Sequence, residues 1–119
     1  MIFETKVTGI GEEAKYFFEK GQLITFGEHV LETLKDFCCY IELRPVEKKI
    51  KPGQKFVIDG NSFEILDVGE IAEDNLKKLG HIVIKFVQEK QTDCLAGGIC
   101  VKGSKIPELK VGTKISIEE

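Results

Sequence analysis

Tryptophan is absent, arginine occurs once, histidine and tyrosine twice each, and proline only three times. Arg44 is the single guanidinium among seventeen basic residues, so a fixed phosphate or carboxylate clamp built on arginine forks is excluded. The net charge is −3 and the pI near 5.5, which argues against a nucleic-acid partner, since that role needs a basic footprint that displaces counterions. The longest uninterrupted apolar run, Phe37 to Ile41, is far short of the ~20 residues that span a bilayer. The start, Met1 to Val7, has no basic region followed by an apolar stretch, so no secretory signal is read there and a cytoplasmic protein is expected. There is no GxSxG, no HExxH and no GxxxxGK[ST], which removes the familiar hydrolase, zinc-protease and nucleotide-loop motifs.

What remains is an ordinary apolar and charged balance, 42% and 31%, in 119 residues, which fits one globular domain over residues 1–119. Alternation marks strands at Phe56–Ile58, Phe63–Val68, Ile82–Val87 and Ile115–Ile117, with further strands at Ile2–Ile10, Leu23–Phe26 and Cys38–Leu43. Asp59-Gly60-Asn61-Ser62 joins the first two as a hairpin. Two segments carry the helical period instead. Ala72 to Leu79 places Ala72, Leu76 and Leu79 on one face, pairs Glu73 with Lys77 and Asp74 with Lys78, and is followed by Gly80 where a C-cap belongs. Glu12 to Lys20 repeats the pattern with acids in its first turn and Gly21 as its stop. The polar stretch Glu89 to Asp93 reads as a loop.

A short echo also recurs. Ile50-Lys51-Pro52-Gly53-Gln54-Lys55-Phe56-Val57-Ile58 answers Leu109-Lys110-Val111-Gly112-Thr113-Lys114-Ile115-Ser116-Ile117, each a glycine turn feeding an alternating strand. Such sharp strand entries suit a small barrel, so the expected fold is mainly β, a small closed antiparallel barrel with one or two short helices.

Cys38, Cys39, Cys94 and Cys100 are compatible with a disulfide set, a zinc set or plain core. The adjacent pair Cys38-Cys39 points to opposite faces of a strand, which fits neither a CxxC zinc loop nor an easy ring closure. Four free thiols with no bound metal are the expectation, and no cofactor is called for. Of the two histidines, His29 follows Gly27-Glu28 in a turn region. His81 directly follows the Gly80 cap and shares a strand face with Val83 and Lys85. A helix C-terminus favours a charged imidazolium there, whereas a ring simply hydrogen-bonded to loop backbone remains the plainer alternative.

The stretch Val68-Gly69-Glu70-Ile71-Ala72-Glu73-Asp74-Asn75-Leu76-Lys77-Lys78-Leu79-Gly80-His81, followed by Phe86, resembles the signature VG-xx-A-xx-NL-xx-LGH-xxxx-F of the glucitol/sorbitol-specific enzyme IIA component of the bacterial phosphotransferase system. Leu23-Ile24-Thr25-Phe26, Leu34 to Ile41 and Pro52-Gly53 fit at compatible spacing, so the resemblance spans nearly the whole chain. It implies a cytoplasmic phosphoryl carrier with a compact β-barrel, in which a histidine takes phosphate from the histidine phosphocarrier protein and passes it to a cysteine on the IIB domain of the membrane sugar permease, whose IIC component completes it. The same resemblance aligns the family's phosphorylated histidine with Ile41, which has no nucleophile. Either the alignment slips locally, or His81 is the acceptor, or the chain is a divergent paralogue that acts as a binding or regulatory module.

Overall fold

In the computed structural model, which describes residues 1–27, 34–89 and 94–119, the strands close on themselves in the order β1-β3-β2-β6-β7-β5-β4-β8. The strands are β1 (Phe3–Ile10), β2 (Gln22–Phe26), β3 (Cys39–Ile41), β4 (Lys55–Ile58), β5 (Asn61–Val68), β6 (Ile82–Val87), β7 (Gly98–Lys102) and β8 (Lys114–Glu118). The helices are α1 (Ala14–Glu19) and α2 (Ala72–Leu79). The expected closed barrel is present, and most of its neighbours run antiparallel. Only β2 with β3 and β6 with β7 run parallel. Among the described residues no helix is long and apolar enough to cross a membrane.

An eight-stranded barrel is just wide enough for side chains to fill it. Here Phe3 and Val7, Leu23, Ile41, Phe56 and Ile58, Ile65, Ile82 and Ile84, Ile99 and Val101, and Ile115 and Ile117 meet in one buried cluster. Each such Ile, Val or Phe removed from water is worth about 1.5–3 kcal/mol, so the interior is a packed core rather than a lumen. Any chemistry must therefore occur on the outer face or at the rims.

The echo repeats have a structural reason. Gly53 (φ 93°) and Gly112 (φ 95°) turn the chain into β4 and β8, and these two strands pair with each other from Lys55 opposite Glu118 to Ile58 opposite Ile115. The β4–β5 hairpin pairs Ile58 with Asn61 across the two-residue turn Asp59-Gly60.

Several expected boundaries move. Helix α1 begins at Ala14, so Glu12 and Glu13 precede it rather than fill its first turn, and its buried residue is Ala14. Leu79 is half exposed instead of joining Ala72 and Leu76 against the core. The strand expected over Cys38–Leu43 shortens to Cys39–Ile41. Strand β7 was not signalled at all. Ile99 and Val101 face the core and Cys100 is covered from outside, so the period-2 alternation that marks a half-exposed strand is missing. The loop expected at Glu89–Asp93 lies, beyond Glu89, outside the described residues.

Candidate functional site

Helix α2 ends in a cap that fixes the backbone of His81. Gly80 sits at φ 67°, a left-handed conformation that costs a residue with a Cβ roughly 1–2 kcal/mol. Its N–H donates to the Leu76 carbonyl at 3.0 Å, while the His81 N–H reaches back to the Asn75 carbonyl at 3.2 Å. The Gly80-to-Leu76 bond is the 5→1 bond of an αL cap, and the cap turns the chain directly into β6. Alanine at Gly80 would also bring its Cβ to 2.9 Å from the Gly27 nitrogen, so the cap leaves no room for one.

Thr25, on β2 and 1% exposed, then staples this corner from the barrel side. Its hydroxyl donates to the Gly80 carbonyl at 2.8 Å and accepts the Ile82 N–H at 3.2 Å, bracketing His81 on both sides. Its backbone carbonyl lies 3.0 Å from His81 Nδ1. The His81 ring also lies over Phe26, with centroids 4.7 Å apart and planes tilted by 32°. Two contacts of different kinds thus hold the imidazole. Replacing Thr25 with valine keeps the shape but strands the Gly80 carbonyl and the Ile82 N–H in a buried place, each at about 1–3 kcal/mol. We expect Thr25→Val to lower the urea unfolding free energy by about 2–4 kcal/mol on that basis. A change within about 0.5 kcal/mol, the range of ordinary surface substitutions, would contradict the staple.

A carbonyl oxygen can only accept. Nδ1 therefore carries the proton in the Thr25 contact, and in the neutral ring the lone pair resides on Nε2. Among the described residues no hydrogen-bond partner occupies Nε2. His81 is half-buried on the outer face with Val83 and Lys85, as its strand position implied, while Ile82, Ile84 and Phe86 turn inward.

Among the described residues, the other sequence candidates do not offer a nucleophile at that face. Ile41 is 1% exposed and belongs to the core cluster, so the position aligned with the family's acceptor is both inert and turned inward. Cys38 and Cys39 are fully buried, and only Cys39 joins the core, so the pair does point to opposite faces. Burial pushes the Cys38 thiol up to about 11, and burial together with the Cys38 charge pushes Cys39 up to about 12, so neither is a thiolate near neutrality. The Tyr40 hydroxyl donates to the Lys35 carbonyl. His29 lies outside the described residues.

The larger concavities are elsewhere. One of about 660 Å³ beside α1 has Ile10, Phe18, Ile106 and Leu109 in its wall, and another lies at the start of α2 around Pro52, Gly69 and Glu73. Neither contains His81. An imidazole outside both of these concavities suits a partner that brings its own surface, not a small molecule that must be enclosed. Half-exposed Leu43 and Leu79 flank Gly27, which follows Phe26, and supply apolar contact area next to the ring.

The chain's residues 2–116 match the family model described as "PTS system glucitol/sorbitol-specific IIA component". The proteins named PTS system glucitol/sorbitol-specific EIIA component from Shigella flexneri and from Escherichia coli (strain K12) are each 29% identical over 121 residues, covering 99% of this chain and 95% of theirs. The crystal structure of a PTS system IIA component from Enterococcus faecalis V583 superposes with a TM-score of 0.87 at 24% identity, covering 98% of this chain and all of that one. That last likeness establishes the shared fold.

Proposed function

Because the chain belongs to the glucitol/sorbitol-specific IIA family of the phosphotransferase system, whose members work with other proteins of that system, we propose that it relays its phosphoryl group through Nε2 of His81. In this reading the donor is the histidine phosphocarrier protein and the recipient a cysteine on the IIB domain of the sugar permease, with the exchange taking place in the cytoplasm. The observation that carries the assignment is the 3.0 Å contact between His81 Nδ1 and the Thr25 carbonyl, which leaves Nε2 with the lone pair.

The chemistry follows from that contact. The Nε2 lone pair attacks the phosphorus of the donor phosphohistidine, the donor's P–N bond breaks, and its electrons return to the donor ring. Positive charge spreads over the His81 ring as Nε2 bonds to phosphorus, and the Thr25 carbonyl stabilises it through the Nδ1–H. Little covalent work falls to the protein in such a transfer, so catalysis is mostly positioning, which the Gly80 cap, the Thr25 staple and Phe26 supply. A helix C-terminus is electrostatically unfavourable for a phosphoryl dianion. Here four carbonyls at that end are already engaged: those of Asn75 and Leu76 by the cap, that of Leu79 by the Gly27 N–H at 2.8 Å, and that of Gly80 by Thr25. Lys77 and Lys78 in the last turn offset the remainder.

Incubation with phosphoenolpyruvate, enzyme I and the phosphocarrier, followed by intact-mass measurement at neutral pH, tests the proposal. One acid-labile phosphoryl group per chain is expected, mapping to His81. Absence of uptake from a competent donor would overturn it.

A further inference from the structure

Away from His81, the structure brings two sulfurs together that sequence spacing alone does not connect. The thiol of Cys100, on the outer side of β7, lies 3.1 Å from Cys94 Sγ, and Cys94 Sγ lies 3.5 Å from the Gly98 carbonyl and 4.0 Å from the Asp67 carbonyl. Cys100 is buried, whereas Cys94 is partly exposed, so one member of the pair can be reached from solvent. A disulfide has its sulfurs about 2.05 Å apart, so closure asks each sulfur to move by roughly half an ångström. The Gly97-Gly98 step between them gives the chain freedom to fold back over Cys100.

We propose that Cys94 and Cys100 form a reversible dithiol–disulfide site whose oxidant is a low-molecular-weight disulfide of the glutathione class. Cys94, as thiolate, attacks one sulfur of the oxidant, whose S–S bond breaks and releases one thiol. Cys100 then gives up its proton and attacks Cys94 Sγ in the mixed disulfide, forming the Cys94–Cys100 bond and expelling the second thiol. The balance is two protein thiols and one small disulfide in, one protein disulfide and two small thiols out. The fully buried Cys38 and Cys39 take no part.

Closure would pin a segment that already supports α2. The carbonyls of Ala96, Gly97 and Gly98 accept the N–H groups of Ile71 at 2.9 Å, Val83 at 3.2 Å and Gly69 at 2.8 Å. The staple would thus fix the segment on which α2 begins and against which β6, the strand that follows His81, is bonded. The expected rate has a defined pH slope. Burial, the hydrogen bond with Cys100 and the nearby charges of Cys100 and Asp67 push the Cys94 thiol up to about 12, so its thiolate fraction rises about tenfold per pH unit through the neutral and mildly alkaline range. Lys85 of β6 is the cation whose backbone stands beside Cys100.

The test treats the native chain with oxidised glutathione at pH 7, 8 and 9, then unfolds it, alkylates the remaining thiols and maps them. Both cysteines lie in the tryptic peptide Gln91 to Lys102, so the disulfide reads as the loss of two hydrogens from one peptide. Expected are that peptide in oxidised form, alkylation of Cys38 and Cys39 only, a rate rising close to tenfold per pH unit, and full reversal by dithiothreitol. Cys100→Ser should instead stop at a stable glutathione adduct on Cys94. Four alkylatable thiols after treatment, bonds to Cys38 or Cys39, or a lasting Cys94 adduct in the unmodified chain would each overturn the proposal.

Discussion

His81→Ala takes up no phosphoryl group from the phosphorylated carrier, while the variant keeps the β-rich circular dichroism of the barrel. The loss is expected to be complete because, among the described residues, none of the side chains aligned near the family's acceptor substitutes for the ring. Ile41 faces the core, the Cys38 and Cys39 thiols are held protonated by burial, and the Tyr40 hydroxyl is bonded to the Lys35 carbonyl. The fold should survive, because the substitution removes only the ring contact with Phe26 and the bond to the Thr25 carbonyl. Such a change at a half-buried position costs about 1 kcal/mol. His29→Ala should retain phosphorylation. Residual uptake in His81→Ala, mapped to any other side chain, would transfer the role to that residue.

Gly69→Ala is expected to produce the largest loss of stability. A Cβ on Gly69 would stand 2.1 Å from the Leu95 carbonyl oxygen and 2.2 Å from that of Ala96. Real carbons do not approach so closely, and both obstacles are backbone, so the segment at 95–97 must move away. Movement breaks the Ile71 N–H to Ala96 carbonyl bond of 2.9 Å and the Gly69 N–H to Gly98 carbonyl bond of 2.8 Å. With about 1–3 kcal/mol for each unpaired group, the loss is about 3–5 kcal/mol. Against a typical total of about 5–15 kcal/mol, that is a large share of the stability, visible as a much lower urea midpoint. A loss below about 1 kcal/mol, near the mean of point substitutions, would mean that the close approach at Gly69 is not maintained in solution.

The parts legible in the sequence are those where one residue's local chemistry dictates the outcome. Ala72–Leu79 and its Gly80 cap follow from helical spacing and the left-handed position, and the face of His81 follows from alternation along Ile82–Val87. The paired glycine turns at Gly53 and Gly112 announced two strands, and the barrel makes those strands neighbours. What stayed hidden depends on contacts between distant segments. Strand β7 is covered on both sides, so its pattern Gly98-Ile99-Cys100-Val101 carries no alternation to detect. Thr25 reads as an ordinary strand residue, yet it lies 55 and more positions from the groups it staples. The Cys94–Cys100 contact arises from a chain reversal, and a spacing of six matches no metal or disulfide signature. The parallel pairing of β2 with β3 likewise needs the whole barrel to define it.

The central claim is that Nδ1 of His81 is the protonated nitrogen and Nε2 the phosphoryl acceptor. Long-range ¹H–¹⁵N correlation spectra of the histidine rings, recorded before and after phosphorylation by the carrier, measure both properties at once. The account predicts that the single proton of the uncharged His81 ring sits on Nδ1, and that the ring converts to a single Nε2-phosphohistidine that keeps the Nδ1 proton, with His29 unchanged. A His81 ring protonated on Nε2, or phosphate found on Nδ1 or on any other residue, would contradict it.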